Sequence, residues 1–357
     1  MQAEQVISAH RGALENPPNR FEKIHLEPDA DWNPDDDSAP AGPRTQFFAD
    51  HSKTVIAHND SPDIGFTSSL NPYRGCEHGC IYCYARPTHE YLGFSSGLDF
   101  ESKIMVKLNA PELLREELSS PKWKPQVIVM SGVTDCYQPV ERKLKLTRRC
   151  LEVLLEFRNP IGIITKNFLV ARDADLLSEL AKHHCVSVCL SITTLDNHLR
   201  RVMEPRTSPP QARLNAIRKL AEANIPVSVN VAPIIPGLTD HEMPAILKAA
   251  HDAGATSAGF TVVRLPHANA ALFEKWLETH FPDRKEKVLN RIKAMRGGKL
   301  YNSQWGSRMR GEGIFAEQIE TMFDVARRKA GFKDVRNYEL STASFRRPDG
   351  PQLLLFS

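Results

Sequence analysis

The stretch Asn71-Pro-Tyr-Arg-Gly-Cys-Glu-His-Gly-Cys-Ile-Tyr-Cys-Tyr-Ala-Arg86 decides the fold of this chain of 357 residues. Its three cysteines, Cys76, Cys80 and Cys83, have the spacing C-x3-C-x2-C, and a tyrosine stands on each side of the last one. Clustered cysteines in a chain without signs of secretion indicate a metal site or catalysis more often than disulfide bonds. We therefore expect residues 71–86, the cysteine loop, to hold a metal centre.

Two kinds of metal centre fit this spacing. A [4Fe–4S] cluster usually takes one thiolate per iron, so three cysteines would leave one iron without a protein ligand. Structural zinc is four-coordinate, and the same thiolates with His78 or His89 would complete a Cys3His site. Zinc knuckles usually carry a second C-x2-C pair, and no such pair follows here. The spacing favours the cluster and leaves zinc as the alternative.

Composition indicates an ordinary globular protein. Apolar residues make up 41% of the chain and charged residues 25%, as is typical of globular proteins. The formal net charge of +3 is too small to indicate a nucleic-acid partner by itself. No run of about 18 apolar residues is present, and the N-terminus does not read as a signal peptide, so we expect a cytoplasmic protein without a membrane span.

Apolar runs alternate with helical patterns from Gln126 onward. The runs lie at 127–130, 161–164, 186–192, 227–231 and 258–263. Near-continuous apolar runs are typical of parallel strands buried on both faces. The segments between them place apolar residues at helical spacing, as at Leu176, Leu177 and Leu180. With a further strand ending at Leu70, the sequence predicts an α/β fold with six parallel strands.

The two ends of the chain differ from this core, and four segments are predicted. Residues 1–49 are rich in proline and aspartate, which favours an extended or disordered arm, although an ordered arm wrapped on the core is the alternative. The core is 50–266. Helical apolar stripes predict a C-terminal helical region over 267–335, followed by a tail over 336–357.

Polar residues follow the predicted strands, where parallel barrels place their chemistry. The candidate ligand-binding residues at these strand ends are Gly132, Thr134, Asp135, Lys166, Ser191, Thr193, Arg206 and Ile235. An arginine can hold a carboxylate with two parallel hydrogen bonds, and a lysine after a buried strand suits an anion. A helix cap at Thr134 or Asp135 and a lysine reaching to solvent are the alternatives.

Segments 134–139, 165–167, 204–206 and 232–237, taken with the cysteine loop, resemble a known group. This group is the uncharacterised bacterial radical S-adenosylmethionine (SAM) proteins related to spore photoproduct lyase, often labelled DNA repair photolyase. The resemblance covers roughly residues 50–335. It implies a partial (β/α)6 parallel barrel with an N-terminal arm and a C-terminal helical appendage. It also implies a [4Fe–4S] cluster on Cys76, Cys80 and Cys83 that cleaves SAM reductively.

The resemblance also implies roles for single residues. Residues expected to contact SAM are Tyr82, Gly132, Thr134, Asp135, Lys166, Ser191, Thr193, Arg206 and Ile235. Tyr82 and Tyr84 match tyrosines implicated in relaying a hydrogen atom in spore photoproduct lyases, although aromatics that shield a cluster from water would look the same. Cys136 lies near the place of the hydrogen-donating cysteine, but it is out of register, which puts thymine-dimer repair in doubt.

The expected activity is hydrogen abstraction from an unidentified substrate, with a nucleic-acid lesion as one candidate. A reducing protein such as flavodoxin or ferredoxin is the expected partner. The loop 297–313 carries Tyr301, Trp305, Arg308 and Arg310, which suit a single-stranded or flipped base, and a plain connector packed on the barrel mouth is the favoured alternative. A noncatalytic metal-binding module that contacts nucleic acid is the rival function.

Overall fold

The computed structural model describes residues 11–21, 44–333 and 339–348. The remainder of the predicted arm and tail lies outside these residues. Where the arm, core, helical region and tail divide stays a prediction.

The described residues form ten strands and eleven α-helices. The strands are β1 (Gln46–Ala49), β2 (Ile56–His58), β3 (Ser68–Leu70), β4 (Tyr73–Arg74), β5 (Lys103–Val106), β6 (Ile128–Met130), β7 (Ile161–Thr165), β8 (Val186–Ser191), β9 (Val227–Ile234) and β10 (Ser257–Val262). The helices are α1 (Leu98–Ser102), α2 (Ala110–Ser119), α3 (Glu141–Leu144), α4 (Leu146–Phe157), α5 (Ala174–Lys182), α6 (Asn197–Met203), α7 (Pro210–Glu222), α8 (Met243–Asp252), α9 (Asn269–His280), α10 (Pro282–Ala294) and α11 (Ile314–Ala330).

The main sheet has the order β10-β9-β8-β7-β6-β3-β2. β3, β6, β7, β8, β9 and β10 run parallel, and β2 pairs antiparallel with β3 at one edge. Among the described residues β3 and β10 do not pair, so the six parallel strands form a partial barrel. The prediction of six parallel strands in a partial (β/α)6 barrel is therefore confirmed.

The two faces of the parallel strands differ in side-chain size. On β8, Val186, Val188 and Leu190 are fully buried towards the helices, whereas Ser187 and Cys189 on the opposite face are only half-buried. We call the inside of the barrel the lumen; the inner face of the sheet lines it with Gly162, Ser187, Cys189, Ser228, Asn230 and Gly259. Small side chains on the inner face leave room inside the barrel.

The helices cover the outer face of the sheet because each carries an apolar stripe. On α4 the buried side chains include Cys150, Leu151 and Leu154, and on α8 they include Ile246 and Leu247. No helix in the described residues is long and apolar enough to cross a membrane.

A second, three-stranded sheet lies beside the cysteine loop. Its order is β1-β5-β4, with β1 parallel and β4 antiparallel to β5. Because β4 opens the cysteine loop, this sheet holds one end of the loop. β1 comes from the predicted arm, so residues 46–49 of that arm are part of a sheet.

The connection between α10 and α11 crosses the open side of the barrel. Met309 accepts a hydrogen bond from the backbone N–H of Val262 on β10 at 2.9 Å. At the other edge, Arg308 donates to Asp63, between β2 and β3, at 2.6 Å, and the N–H of Gly306 donates to the same carboxylate at 2.7 Å. This crossing connection, residues 295–313, therefore links the two edges of the sheet.

Candidate active site

The cysteine loop lies at the carboxyl ends of the parallel strands and is held by backbone hydrogen bonds. The N–H of Cys76 donates to Phe100 O at 2.9 Å, and the N–H of Ile81 donates to Met203 O at 3.0 Å. Cys76, Cys80 and Cys83 are free thiols. Burial raises the pKa values of Cys76 and Cys80. The neighbouring cysteines raise both pKa values further.

Three free thiols on one loop are the ligands that iron–sulfur clusters use, so the donor set fits a [4Fe–4S] cluster that lacks one protein ligand. Within the described ranges, no group of three or more His, Cys, Asp or Glu side chains is arranged to hold one metal ion. Of the histidines considered for a zinc site, His78 has both ring nitrogens engaged, with Asp135 at 3.3 Å and Asn167 at 3.1 Å.

A buried ion pair fixes the middle of the cysteine loop. Arg86 and Glu101 are fully buried and paired with each other. The Arg86 guanidinium also donates to Cys80 O at 3.0 Å and to Gly79 O at 3.2 Å. Glu101 packs so close that a Cβ on Gly79, whose φ is +65°, would lie 2.5 Å from its carboxylate. Only glycine suits this position.

The N-terminal segment closes the other side of this ion pair. The N–H groups of Gly12 and Ala13 donate to the Glu101 carboxylate at 2.9 and 2.7 Å. A Cβ on Gly12 would lie 1.7 Å from Gly79 O, so the segment lies directly against the cysteine loop. We call Arg86, Glu101 and residues 11–13 the cradle. Part of the predicted arm therefore belongs to the surroundings of the thiols.

A second buried ion pair lies beneath Tyr82. Arg213 and Glu204 are buried and paired, and Arg213 also donates to Ser191 O at 2.9 Å. Glu204 accepts hydrogen bonds from the Tyr82 hydroxyl and from Thr193, the latter at 2.7 Å. Burial would raise the pKa of Glu204, but Arg213, Lys166 and these hydrogen bonds lower it to about 2. Burial raises the pKa of Tyr82, so its phenol is neutral.

Lys166 lies beside these groups at the end of β7. Its ammonium is 5.8 Å from the centre of the Tyr82 ring. Its charge lowers the pKa values of Cys80 on the cysteine loop and of Cys189 in the lumen, against the larger effect of burial. Among the described residues the Lys166 ammonium forms no salt bridge. The structure thus brings a cation without a salt bridge next to the cysteine loop.

Asp135 contacts the cysteine loop instead of facing outward. Its carboxylate accepts from Thr165 at 2.7 Å and from the N–H of Lys166 at 2.8 Å, and it lies 3.3 Å from His78. Burial opposes ionisation, but His78 and these hydrogen bonds lower the pKa of Asp135 to about 2. Its oxygens are therefore occupied within the protein.

Arg206 also contacts the cysteine loop. Its guanidinium donates to Glu77 at 2.9 Å and to Thr45 at 3.2 Å, and its N–H donates to His78 O at 3.3 Å. Glu204, two residues before Arg206, pairs with Arg213. Arg206 thus joins the arm and the cysteine loop.

Tyr84 spans the mouth of the barrel. Its hydroxyl donates to Gly132 O, after β6, at 2.6 Å, and its ring lies 4.4 Å from the Arg264 guanidinium carbon, after β10. The side chain is 47% exposed, unlike Tyr82. Tyr84, Gly132 and Arg264 are therefore brought together at the opening.

Other predicted residues lie inside the protein. Cys136 is fully buried, and its neighbours include Ser131, just after β6, and Thr147. Ile235 is fully buried, and Ser191 and Thr193 are buried. Thr134 donates to Tyr73 O at 3.1 Å, which fixes the turn after β6.

The crossing connection uses its arginines internally. Arg308 binds Asp63, and Arg310 pairs with Glu320 while lying 4.6 Å from the Phe260 ring centre. Trp305 is 58% exposed and Tyr301 is half-buried. Arg308 and Arg310 thus behave as expected of a connector packed on the barrel. Of the four predicted base-binding residues, only Tyr301 and Trp305 stay available to contact a ligand.

Sequence reasoning missed Arg86, Glu101, Arg213 and Gly12. Arg213 carried a usable signal, because it shares a helical face with the buried Ile217 and Leu220. A cation on an apolar stripe needs a buried partner. Nothing in the spacing of Arg86 and Glu101 indicates that they pair.

Comparison with known proteins adds relatives to this geometry. The sequence profile of the radical SAM superfamily matches residues 70–250. Uncharacterised proteins of Mycobacterium tuberculosis and Mycobacterium bovis are 37% identical over 222 residues, which are 62% of this chain. The chain spans 65% of the length of these relatives. A radical SAM Nα-GlyT isomerase of Pseudomonas phage M6 is 26% identical over 192 residues, 52% of this chain and 38% of that protein.

Among solved structures, spore photoproduct lyase complexed with dinucleoside spore photoproduct superposes with a TM-score of 0.57. The superposition covers 80% of this chain and 79% of that chain at 16% sequence identity. A double mutant of spore photoproduct lyase with bound AdoMet and the same dinucleoside gives a TM-score of 0.55 over the same shares of both chains. At this identity the likeness concerns the fold alone.

Proposed function

We propose that the chain, which belongs to the radical SAM superfamily, binds a [4Fe–4S] cluster through Cys76, Cys80 and Cys83 and uses it with SAM to act on a substrate at the barrel mouth. The observation that supports this most directly is the trio of free thiols on one internally braced loop at the carboxyl ends of the strands. Superfamily membership itself implies SAM and an iron–sulfur cluster.

The bound groups would supply an electron and a carbon-centred radical that removes a hydrogen atom from the substrate. The three thiols would hold three irons and leave one for SAM. The cradle would keep the thiols in position, because Arg86 donates to the carbonyl groups of Cys80 and Gly79 while the N-terminal segment donates to the Glu101 carboxylate that pairs with Arg86.

Lys166 is our candidate for the SAM carboxylate, since its ammonium is close to Cys80 and Tyr82 and forms no salt bridge with a described residue. Asp135 and Arg206 would position the cysteine loop instead of contacting SAM, because His78 and Glu77 already occupy them. Thr193 would act in the same way through Glu204. Gly132 would offer the second lone pair of its carbonyl oxygen, which already accepts from Tyr84, to the SAM amino group.

Tyr84 is our candidate for contact with the substrate, because it is exposed at the mouth while Tyr82 is buried against Glu204. Its phenol O–H is the group that a hydrogen-atom relay needs. We do not give Cys136 a hydrogen-donating role, since a substrate at the mouth would not reach its buried thiol.

A nucleic-acid lesion is our candidate substrate class. The phage relative is named an isomerase, and the lyase with the same fold was solved with a dinucleoside photoproduct. The exposed Trp305 and Tyr84 offer faces on which a base can stack. Superfamily enzymes need a reductant, for which we propose a flavodoxin or ferredoxin. Membership of an enzyme superfamily argues against the noncatalytic module.

Anaerobic reconstitution tests the proposal. The wild-type protein should bind about four irons per chain and, with dithionite and SAM, release 5′-deoxyadenosine detectable by mass spectrometry. Cys76→Ala should lose both the iron and the product. Cys185→Ala is the matched control, because this thiol lies before β8, at the opposite end of the barrel.

Two results would contradict the proposal. One is stoichiometric zinc with no SAM cleavage by the wild-type protein, which would favour the metal-binding module. The other is a Cys76→Ala variant that keeps full iron content and SAM cleavage.

A further inference from the structure

A pocket of basic residues lies beside the mouth and takes no part in the chemistry described above. Its volume is about 500 Å³. The loop after β9 lines one wall with Gly237, Asp240 and His241, and α10 lines the other with Arg284, Lys287 and Arg291. We call it the basic pocket.

The cations of the basic pocket share one face of α10. Residues 284, 287 and 291 are three and seven positions apart, which places them on adjoining turns of one helical face. The neighbouring face of α10 carries the buried Val288, Leu289 and Ile292, with Val288 at its border next to Arg284. Packing of the apolar face therefore directs the three cations towards the pocket.

Positive charge in the pocket exceeds negative charge. Asp240 is the one carboxylate among the described residues of its lining; it lies 3.1 Å from Arg291 and also accepts the N–H of Gly237 at 2.9 Å. Arg284 and Lys287 are exposed and form no ion pair with a described residue. By contrast, Lys285, on another face of α10, lies 3.5 Å from Glu278 and 3.6 Å from Glu274.

Gly237 lets the two walls approach. Its φ is +84°, and a Cβ there would lie 3.3 Å from Cδ of Arg291 and 3.6 Å from Cγ of Lys287. The positive φ favours glycine, and a side chain there would contact those of Arg291 and Lys287. The cations therefore converge on a concave site instead of standing apart on a flat surface.

The pocket lies at the same end of the barrel as the cysteine loop. Its loop follows the carboxyl end of β9. Just after α10, Arg296 donates to Val263 O, which follows β10, at 3.0 Å. A group bound in the pocket would thus sit on the rim of the mouth, outside the lumen.

We propose that the basic pocket binds a phosphate group of the substrate. Guanidinium groups match phosphate oxygens with two parallel hydrogen bonds, and lysine adds a point charge. Binding energy gained away from the reacting atoms can hold a substrate in place for the reaction. The assignment to the substrate rests on the proposed function, whereas phosphate binding by the pocket does not.

Binding assays on the reconstituted protein test this inference with two probes, inorganic phosphate and a fluorescein-labelled single-stranded oligothymidylate. Arg284→Ala/Lys287→Ala removes two exposed cations that bear on no core contact. The control is Lys122→Ala/Lys124→Ala, which removes the same charge from exposed residues before β6, at the opposite end of the barrel.

For the oligonucleotide, each phosphate contact contributes about 0.7 to the slope of log K against log salt. The pocket variant loses its one phosphate contact and should therefore lower that slope by about 0.7 and weaken binding by about fivefold at 0.1 M salt. The control variant should match the wild type. Loss of phosphate binding in the pocket variant alone would support a small phosphorylated substrate.

The inference is overturned if the wild type binds neither probe, or if the pocket variant binds both probes no more weakly than the control. These assays need no SAM cleavage. Release of 5′-deoxyadenosine by the wild type without any probe reports on the proposed function separately, so the two ideas can fail independently.

Discussion

The cradle and the lumen are built in opposite ways. In the cradle, Arg86 and Glu101 are fully buried, and their hydrogen bonds reach both the cysteine loop and the N-terminal segment. In the lumen, by contrast, Ser187 and Ser228 are small and only half-buried. One region is densely packed around the cysteine loop, and the other is lined by small side chains.

The difference shows which properties each region determines. A buried ion pair stabilises the fold only while both partners are present, because removing one leaves the other charge buried and unpaired. Small residues facing a space contribute little packing, so their replacement disturbs the fold little. We therefore expect cradle variants to change stability and lumen variants to change activity.

The largest effect is expected from Glu101→Gln. The substitution keeps the shape of the side chain but leaves the Arg86 charge buried without its partner, at a cost of about 3–5 kcal/mol in the free energy of unfolding. Urea unfolding followed by circular dichroism measures it. The control Glu156→Gln breaks the exposed pair with Arg115 and should cost about 1 kcal/mol or less. Equal losses of unfolding free energy in both variants would contradict a special role for the buried pair.

The second prediction concerns His89, which follows the cysteine loop. Burial lowers its pKa to about 4 from the ordinary 6.5. The unfolded chain therefore binds a proton first as the pH falls, and stability is lost between pH 6.5 and pH 4, by about 3 kcal/mol. His89→Phe should remove this pH dependence from urea unfolding curves. The exposed His51, changed to Phe, should leave it in place.

Gly12→Ala tests the contact between the N-terminal segment and the cysteine loop. The new Cβ would collide with Gly79 O, so the segment or the loop must shift, at a cost of about 1–3 kcal/mol. Faster proteolysis near the N-terminus should accompany the loss. Gly65→Ala is the matched control, because no heavy atom lies within 4 Å of its Cβ position. An unchanged proteolysis rate for Gly12→Ala would show that the contact does not hold the segment.

The smallest effect on stability is expected from Ser187→Leu, which places a large side chain in the lumen. The free energy of unfolding should change by about 1 kcal/mol or less, because the lumen has room. Release of 5′-deoxyadenosine should fall by about tenfold or more, as about 1.4 kcal/mol of lost binding already gives that factor. Ser119→Leu, exposed at the end of α2, is the control for added apolar surface. Full SAM cleavage by Ser187→Leu would contradict an open, functional lumen.

The sequence was sufficient to predict the barrel. The apolar runs at 161–164, 186–192 and 227–231 coincide with β7, β8 and β9, because the residues of these strands that pack against the helices are apolar. β1 was missed, since Gln46–Ala49 is short and exposed and gains its order from β5. Such tertiary pairing leaves no periodicity in the sequence.

For the candidate site, the sequence pattern predicted which residues lie near the cysteine loop but not which residues they contact. Lys166 lies beside the cysteine loop as expected of a cation at a strand end. Asp135 and Arg206 have the expected places in the chain but turn to His78 and Glu77, because charged groups held away from water need polar partners. These partners are fixed by folding in three dimensions, and sequence spacing does not encode them.

The link between Asp63 and Arg308 has a consequence for the order of assembly. The two residues are 245 positions apart, so the seam they seal joins early and late parts of the polypeptide. Closing such a long loop costs conformational entropy before the contacts that offset it can form. We therefore expect this link to form late in folding. During synthesis the interior consequently stays accessible from the side until nearly the whole chain has emerged, and the finished ring would reopen first along this same seam.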